Sequence, residues 1–151
     1  MTSMDVESIK TMMPQVVPFV RTLGLEYLEL DAGRALLRMP DNPAHHNHVA
    51  GPHAGAIFSL GESASGAVVL AAFTDELAWA VPLAVSAEIR YRKIAMGAVL
   101  AEARIGRPIA DVVAELASGA RPEFPVTVEL RTEDGTVTGE MTVVWTLRPN
   151  R

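Results

Sequence analysis

The side chains of this protein that can do chemistry are concentrated in one short polar segment. They are Asp41, Asn42, His45, His46, Asn47, His48 and His53, and they include every histidine of the chain. Neutral imidazoles are common zinc ligands, and His46 and His48 lie two residues apart. A catalytic zinc site usually takes three ligands on rigid elements, however, and no His-Glu-x-x-His pattern is present. We therefore expect no metal, and we interpret His45 and His46 as loop residues that hydrogen-bond locally.

A single carboxylate interrupts the longest weakly charged stretch of the chain, residues 54–74. A stretch of this length can suggest a membrane span, but Glu62 near its centre, with serines on either side, favours a buried helix of a globular domain. Burial raises the pKa of a carboxyl group toward the range in which it is useful as a base. The structural alternative is a buried ion pair between Glu62 and an arginine such as Arg90.

The segment from Asn47 to Glu62 resembles the motif of hotdog thioesterases of the phenylacetate-pathway and hydroxybenzoyl-CoA type. That motif is an Asn or Gln, five residues, His-Gly-Gly at the start of a helix, and an Asp or Glu nine residues after the His. Here Asn47, His53-Ala54-Gly55 and Glu62 stand at those spacings, with Ala54 in place of the first glycine. The resemblance implies hydrolysis of an acyl-CoA thioester, with these five residues as the catalytic set and no cofactor apart from the CoA of the substrate.

Thioester hydrolysis gives each matched residue a chemical role. The attacked carbonyl becomes an oxyanion, which backbone N–H groups of Ala54 and Gly55 at a helix N-terminus stabilise. Glu62 is then either the general base for water or the nucleophile that forms a transient anhydride. Asn47 either orients the water or the carbonyl, or shapes the loop as an Asx-turn residue. His53 either takes part in catalysis or makes a hydrogen bond at the helix entry.

Binding of CoA requires a local basic cluster, because CoA is anionic and the chain has a net charge of -5. Arg90, Arg92 and Lys93 are the predicted substrate contacts, with Arg104 and Arg107 as further members; a solvated strand face is the alternative. The same net charge argues against general nucleic-acid binding.

Small helix residues such as Ala64, Ser65 and Gly66 leave room next to Glu62, and Ser59, Ser63 and Gly66 are the predicted substrate-binding residues of this helix. From His53 to Glu62, nine residues of helix rise by about 13 Å, so one protomer does not bring both to one carbonyl. Two antiparallel copies of the helix do so, in a homodimer with two shared sites. The resemblance implies the same dimer, alone or as a dimer of dimers.

Two other functions remain open from the sequence. The run Asp41-Asn42-Pro43-Ala44-His45 is similar to the Asp-x-Asn-Pro-x-His run of hotdog enoyl-CoA hydratases and dehydratases, but it is one residue short. The replacement of a motif glycine by Ala54 also leaves open a non-catalytic module that binds acyl-CoA or fatty acid.

The elements that hold these residues predict an α+β hotdog fold, in which a sheet of five to six antiparallel strands wraps a central helix. The 151 residues suit one domain, with a helical N-terminal segment over 1–23 and the core over 24–147. Hydrophobic patterns predict strands over 25–30, 34–39, 80–93, 98–106, 126–131 and 137–147, and helices over 54–73 and 110–118. No signal-peptide pattern opens the chain, so a cytoplasmic location without membrane attachment is expected.

Overall fold

One long helix lies across an antiparallel sheet of six strands in the computed structural model, which describes residues 5–150. The strands are β1 (Glu26–Leu30), β2 (Arg34–Met39), β3 (Ala80–Tyr91), β4 (Val99–Ile105), β5 (Glu123–Thr132) and β6 (Val137–Pro149). The helices are α1 (Val6–Val16), α2 (Pro18–Leu23), α3 (Ala54–Ala72) and α4 (Ile109–Ala117). The strands are ordered β1-β2-β4-β5-β6-β3. The predicted α+β arrangement of a central helix and an antiparallel sheet is therefore confirmed.

Helix α3 is buried because it is apolar on nearly all sides and its small residues let the sheet approach. A Cβ added at Gly61 would lie 2.7 Å from the Sδ atom of Met141, so β6 packs directly against the helix there. Leu60 and Val68 are fully enclosed in the same core. By length and composition α3 could cross a membrane, but more than half of it is covered by the rest of the fold.

The observed boundaries of the helices and strands differ from the predicted ones near three prolines. Pro14 lies inside α1 without ending it, and Pro18 opens α2 at a first-turn position, where its missing N–H costs little. Strand β5 starts at Glu123 and includes Pro125, three residues earlier than the prediction that began after this proline. The predicted N-terminal helical turns began at residue 4, which lies outside the described residues.

Strand β3 forms one edge of the sheet and pairs only with β6 among the described residues. Its twelve residues therefore carry a row of backbone groups with no partner strand on the outer side. The middle of the strand is exposed, including Val85 with 49% of its surface accessible. Proteins usually protect long edges of this kind, because an open edge pairs readily with another strand.

Candidate active site

The loop that leads into α3 is held together by the side chain of Asn47. Its Oδ1 atom accepts hydrogen bonds from the N–H groups of Val49 and Gly51, at 3.0 and 3.1 Å. Its Nδ2 atom donates to the carbonyl oxygen of Pro52 at 3.3 Å. Ala50, with a φ of 60°, makes the left-handed turn between them. Asn47 thus has the loop-shaping role, and its role toward water or substrate stays a prediction.

The other histidines of the loop make local contacts. The Nε2 atom of His46 lies 2.8 Å from Oδ1 of Asp41, and the carbonyl oxygen of His45 accepts a hydrogen bond from the N–H of His53 at 2.7 Å. The side chain of His45 is buried, with 9% of the residue surface accessible. Within residues 5–150, no three His, Cys, Asp or Glu side chains are grouped closely enough to hold a metal ion.

His53 caps α3, and this contact occupies one of the two amide N–H groups that were predicted to bind an oxyanion. The N–H of Gly55 donates to Nδ1 of His53 at 2.8 Å, so the expectation that Gly55 offers a free donor is not met. The N–H of Ala54 makes no hydrogen bond within the described part of the chain. The hydroxyl of Tyr91 donates to the carbonyl oxygen of Ala54 at 2.9 Å and ties the end of β3 to the helix start. Ala54 therefore offers a free N–H at the positive end of the helix.

A depression of about 350 Å³ opens beside this helix start. Asn47, Ala54, Ile57, Tyr91, Arg92 and Lys93 are among the residues that line it. The depression thus has the first residue of α3 and two basic residues, Arg92 and Lys93, in its lining.

The five basic residues predicted to bind CoA do not form one cluster. Arg92 and Lys93 line the depression, and Arg92 is also paired with Glu140. Lys93 makes no ion pair within residues 5–150.

The other three arginines are engaged elsewhere. Arg90 lies 3.2 Å from Glu88 and does not line the depression. Arg104 and Arg107 pair with Glu102 and Glu115, at 2.8 and 2.6 Å. Among the arginines predicted to contact substrate, only Arg92 is thus found beside the helix start.

Glu62 is half-buried on α3, and its carboxylate makes no hydrogen bond or ion pair within the described residues. Burial raises the pKa of the Glu62 carboxyl group above its ordinary value. The alternative ion pair with Arg90 is absent, because that guanidinium is bound to Glu88. An unpaired carboxylate of raised pKa at a half-buried position is typical of a general base or nucleophile.

Tyr27 on β1 packs against the core and was not singled out by the sequence. Its hydroxyl is buried without a hydrogen-bond partner in the described structure. Burial, and secondarily the charge on Glu62, raise the pKa of Tyr27 to about 12. The available sequence signal was alternation, because Tyr27 follows the buried Leu25 by two residues and so faces the same side of the strand.

The predicted acyl-binding residues share one face of α3 with Glu62. Ser59 and Gly66 are three and four residues from Glu62, Ser63 follows it directly, and all four are only partly buried. Ala54 is eight residues before Glu62, a separation of about 12 Å along the axis. The sheet of the same protomer thus leaves this stripe accessible, with the carboxylate at its middle and the free N–H beyond its end.

The hydrogen bonds of Asn47 predict different effects for two substitutions. Asn47→Ala removes both acceptor contacts to the loop and should lower the free energy of unfolding by about 1–2 kcal/mol. Asn47→Asp keeps an oxygen for the N–H groups of Val49 and Gly51 and should keep most of that stability. Chemical denaturation of both variants measures this, and equal stability of Asn47→Ala and wild type would contradict the loop-shaping role.

Solved structures with the same architecture come from several bacteria. A protein of unknown function from Pseudomonas aeruginosa, described as a probable thioesterase, is 28% identical with a TM-score of 0.88, and the match covers 99% of this chain and 100% of that one. A thioesterase family protein from Silicibacter pomeroyi is 20% identical with a TM-score of 0.77, over 96% and 99% of the two chains. The PaaI protein from the phenylacetic acid degradation operon of E. coli is 14% identical with a TM-score of 0.75, over 95% and 94%.

No curated protein matches the chain. The family described as a domain of unknown function, DUF4442, matches residues 6–147. The structural neighbours are hotdog-fold proteins of the thioesterase family, and the strand order and central helix agree with theirs. The chain therefore belongs to the DUF4442 family and has the hotdog fold.

Proposed function

We propose that this protein hydrolyses acyl-CoA thioesters, and that Glu62 is the group that activates the attacking water or attacks the carbonyl itself. The observation that carries the proposal is the half-buried Glu62 carboxylate, which has a raised pKa and no partner within the described residues. The thioesterase names of the neighbours from Pseudomonas aeruginosa and Silicibacter pomeroyi support hydrolysis of a thioester.

Two groups carry out the reaction in this proposal, the N–H of Ala54 and the carboxylate of Glu62. The free N–H of Ala54 donates to the carbonyl oxygen as negative charge develops on it, strengthened by the helix dipole. Glu62, in its ionised form, takes a proton from water as the water adds to the carbonyl carbon, or adds to that carbon directly. In the first route the carbon–sulfur bond then breaks and the proton held by Glu62 passes to the thiolate, which gives the free acid and CoA thiol. In the second route the same bond breaks to release the CoA thiolate and leaves a mixed anhydride on Glu62. Water then hydrolyses the anhydride to the free acid and the Glu62 carboxylate, and supplies the proton of the CoA thiol.

In this proposal the basic residues at the rim of the depression bind the phosphates of the CoA moiety. Lys93 makes no ion pair within residues 5–150, so its ammonium is available to a phosphate. Arg92 is shared with Glu140 and contributes less. Arg90, also expected as a substrate contact, is bound to Glu88 away from the depression, so we assign phosphate binding to Lys93 first.

We further propose that each site is built from two protomers. The Ala54 N–H and the Glu62 carboxylate are about 12 Å apart along one helix, too far to meet at one carbonyl. The unpaired edge of β3 and the accessible stripe of α3 are the two surfaces that a second copy can cover together. Antiparallel pairing of the stripe brings the Ala54 end of one helix to the Glu62 region of the other.

The second candidate is a non-catalytic acyl-CoA-binding module. The observation in its favour is that the N–H of Gly55 is already bonded to His53. The helix start therefore has one free N–H donor for an oxyanion, that of Ala54, where the motif implies two. The hydratase alternative has no such support, because Asp41 is bound to His46 and the side chain of His45 is buried.

A thiol-release assay over short, medium, long and aromatic acyl-CoAs tests the reaction. Wild type should release thiol from at least one class, and Glu62→Gln should reduce the rate by about 100-fold or more. Glu7→Gln makes the same change at an exposed position of α1 and should leave the rate unchanged. Equal rates in wild type and Glu62→Gln would remove Glu62 from the mechanism, and acyl-CoA binding without thiol release would favour the binding module.

The pH dependence of the same assay follows from the raised pKa of Glu62. The ionised form is the active one, so the rate should fall as pH drops through the folded-state pKa, which lies above the ordinary glutamic acid value of about 4.3. An acid limb at or below that ordinary value would contradict the role of a half-buried Glu62.

Ala54→Pro tests the oxyanion donor without disturbing the helix. Proline is well tolerated at the first helical position, and His53, with φ of -65° and ψ of 142°, already has the conformation favoured before proline. The variant should fold normally and lose about 100- to 1,000-fold in rate, because the N–H is gone. Ala54→Gly keeps the N–H and should remain active. A fully active Ala54→Pro protein would show that the oxyanion binds elsewhere.

Mixing the two inactive proteins tests the shared site. In a mixed dimer of Ala54→Pro and Glu62→Gln subunits, one site carries both defects and the other carries neither. Random exchange of equal amounts makes half of the dimers mixed, so about a quarter of the wild-type rate should return. Subunit exchange is first demonstrated with two differently tagged subunits. If exchange occurs and no activity returns, this result would contradict the two-protomer site.

A further inference from the structure

Two side-chain contacts join α3 to the sheet by hydrogen bonds within the described part of the chain, and both lead to a residue proposed to react. In the first, the Tyr91 hydroxyl donates to the carbonyl oxygen of Ala54 at 2.9 Å. In the second, Nε1 of Trp145 on β6 lies 2.9 Å from Oγ of Ser65, and this Oγ lies 2.7 Å from the carbonyl oxygen of Glu62. The proposed reaction so far gives Ser65 and Trp145 no role.

The direction of the two hydrogen bonds at Ser65 is fixed by the groups that form them. The indole N–H only donates and a carbonyl oxygen only accepts, so the Ser65 hydroxyl accepts from Trp145 and donates to Glu62. Ser65 is fully enclosed and Trp145 is 8% exposed, so little water competes for these bonds. Hydrogen bonds in series polarise and strengthen one another in such surroundings. Sheet and helix are therefore joined here by a directional contact that ends on the backbone of Glu62.

A second observation places the indole ring of Trp145 against the helix at the same point. A Cβ added at Gly66 would lie 3.4 Å from the Cη2 and Cζ2 atoms of that ring. Because Gly66 has no side chain, the ring can lie close to α3 at the residue that follows Ser65. The indole thus contacts the helix both through its N–H and through its six-membered ring.

The apolar packing of α3 does not by itself define which side of the helix faces the sheet. Hydrophobic burial is non-directional, and α3 is apolar on nearly all sides, so a turn about its axis exchanges one apolar face for another. A hydrogen bond depends on angle and distance and does not tolerate such a turn. Glu62 and Ser65 are three residues apart, which places them about 60° apart around the axis. Holding Ser65 against Trp145 therefore holds Glu62 at the border of the core, where it is half-buried.

We infer that Ser65 and Trp145 are positioning residues for the proposed reaction, because their hydrogen bond fixes the rotation of α3 and with it the direction in which the Glu62 side chain leaves the helix. The inference rests on the proposed role of Glu62 in thioester hydrolysis. Both residues act on the rate through Glu62 and make no contact with the substrate.

The test compares Ser65→Ala with the matched loss of a buried hydroxyl on β6. Ser65→Ala leaves the indole N–H without its acceptor. Thr146→Val removes a hydroxyl that donates to the carbonyl oxygen of Pro122 at 2.7 Å, a bond that does not involve α3. Both variants should unfold at a lower denaturant concentration than wild type. Only Ser65→Ala should lower kcat, by about tenfold, the order of one hydrogen bond, with KM unchanged. A similar loss of kcat in Thr146→Val would assign the effect to lost stability and refute the inference.

Trp145→Phe provides a second variant, which removes the donor from the sheet and keeps the Ser65 hydroxyl. It should lower kcat by a similar factor. The double variant Ser65→Ala with Trp145→Phe should be no slower than the slower of the two single variants, because both changes break the same bond. Losses that multiply in the double variant would show that the two residues act separately, contrary to the inference.

A titration separates this inference from the proposed function. The carboxyl carbon of Glu62 is followed by NMR in 13C-labelled protein, with its resonance assigned by its loss in Glu62→Gln. Burial raises the pKa of this carboxyl group, and a helix that is free to turn lets the charged form reach water. The midpoint should therefore move to lower pH in Ser65→Ala and stay in place in Thr146→Val.

A midpoint that does not fall in Ser65→Ala, or an unchanged kcat in an active enzyme, would overturn the inference. A midpoint that falls in Ser65→Ala, when wild type releases no thiol, would support the positioning of Glu62 by Ser65 and would contradict thioester hydrolysis instead.

Discussion

The structure depends on the burial of helix α3 against the sheet. The helix is apolar on most of its surface and uses glycine where β6 approaches, so it gains stability by being covered. Glu62 is the ionisable group in this helix, and the same burial that stabilises the helix makes its carboxylate costly to charge. The chemistry of the site is thus a consequence of where one charged residue falls in a core element.

At the start of α3, one backbone N–H group stabilises the helix through a cap, and another has no partner within the described residues. An α-helix leaves its first N–H groups unpaired, and His53 satisfies the one from Gly55. A Cβ at Gly55 would lie 3.1 Å from Nδ1 of the capping histidine, so a glycine at this position keeps the cap close. The N–H of Ala54 stays free at the positive end of the helix dipole, beside the depression. The cap therefore occupies one of the two N–H groups and leaves the other without a partner within the described residues.

The sequence predicted the helices and strands better than it predicted the contacts between side chains and backbone groups. Hydrophobic spacing and turn residues located all six strands and the long helix, since these patterns reflect which face is buried. The motif from Asn47 to Glu62 located the helix start and the buried carboxylate. A hydrogen bond at the helix entry was one of the two roles predicted for His53, but its partner, the N–H of Gly55, depends on a side-chain rotamer that the sequence does not specify.

Contacts between distant strands were also beyond the reach of the sequence. Tyr27 of β1 packs against the core around the central helix only because β1 lies beside β2. The arginines looked equivalent in sequence, but Glu102 engages Arg104 within β4, and Glu140 of β6 engages Arg92, which follows β3, across the strands. Ion pairs of this kind depend on strand register, which spacing along one chain does not encode.

In the proposed dimer, one thioester carbonyl meets the helix start of one protomer and the Glu62 carboxylate of the other. The most direct measurement is a crystal structure with an acyl-CoA ketone, in which a methylene group replaces the thioester sulfur and prevents hydrolysis. We expect the ketone oxygen within about 3 Å of the Ala54 nitrogen, and the ketone carbon facing Glu62 of the partner subunit. A ketone oxygen that lies away from Ala54, or a carbon that faces Glu62 of the same protomer, would contradict it.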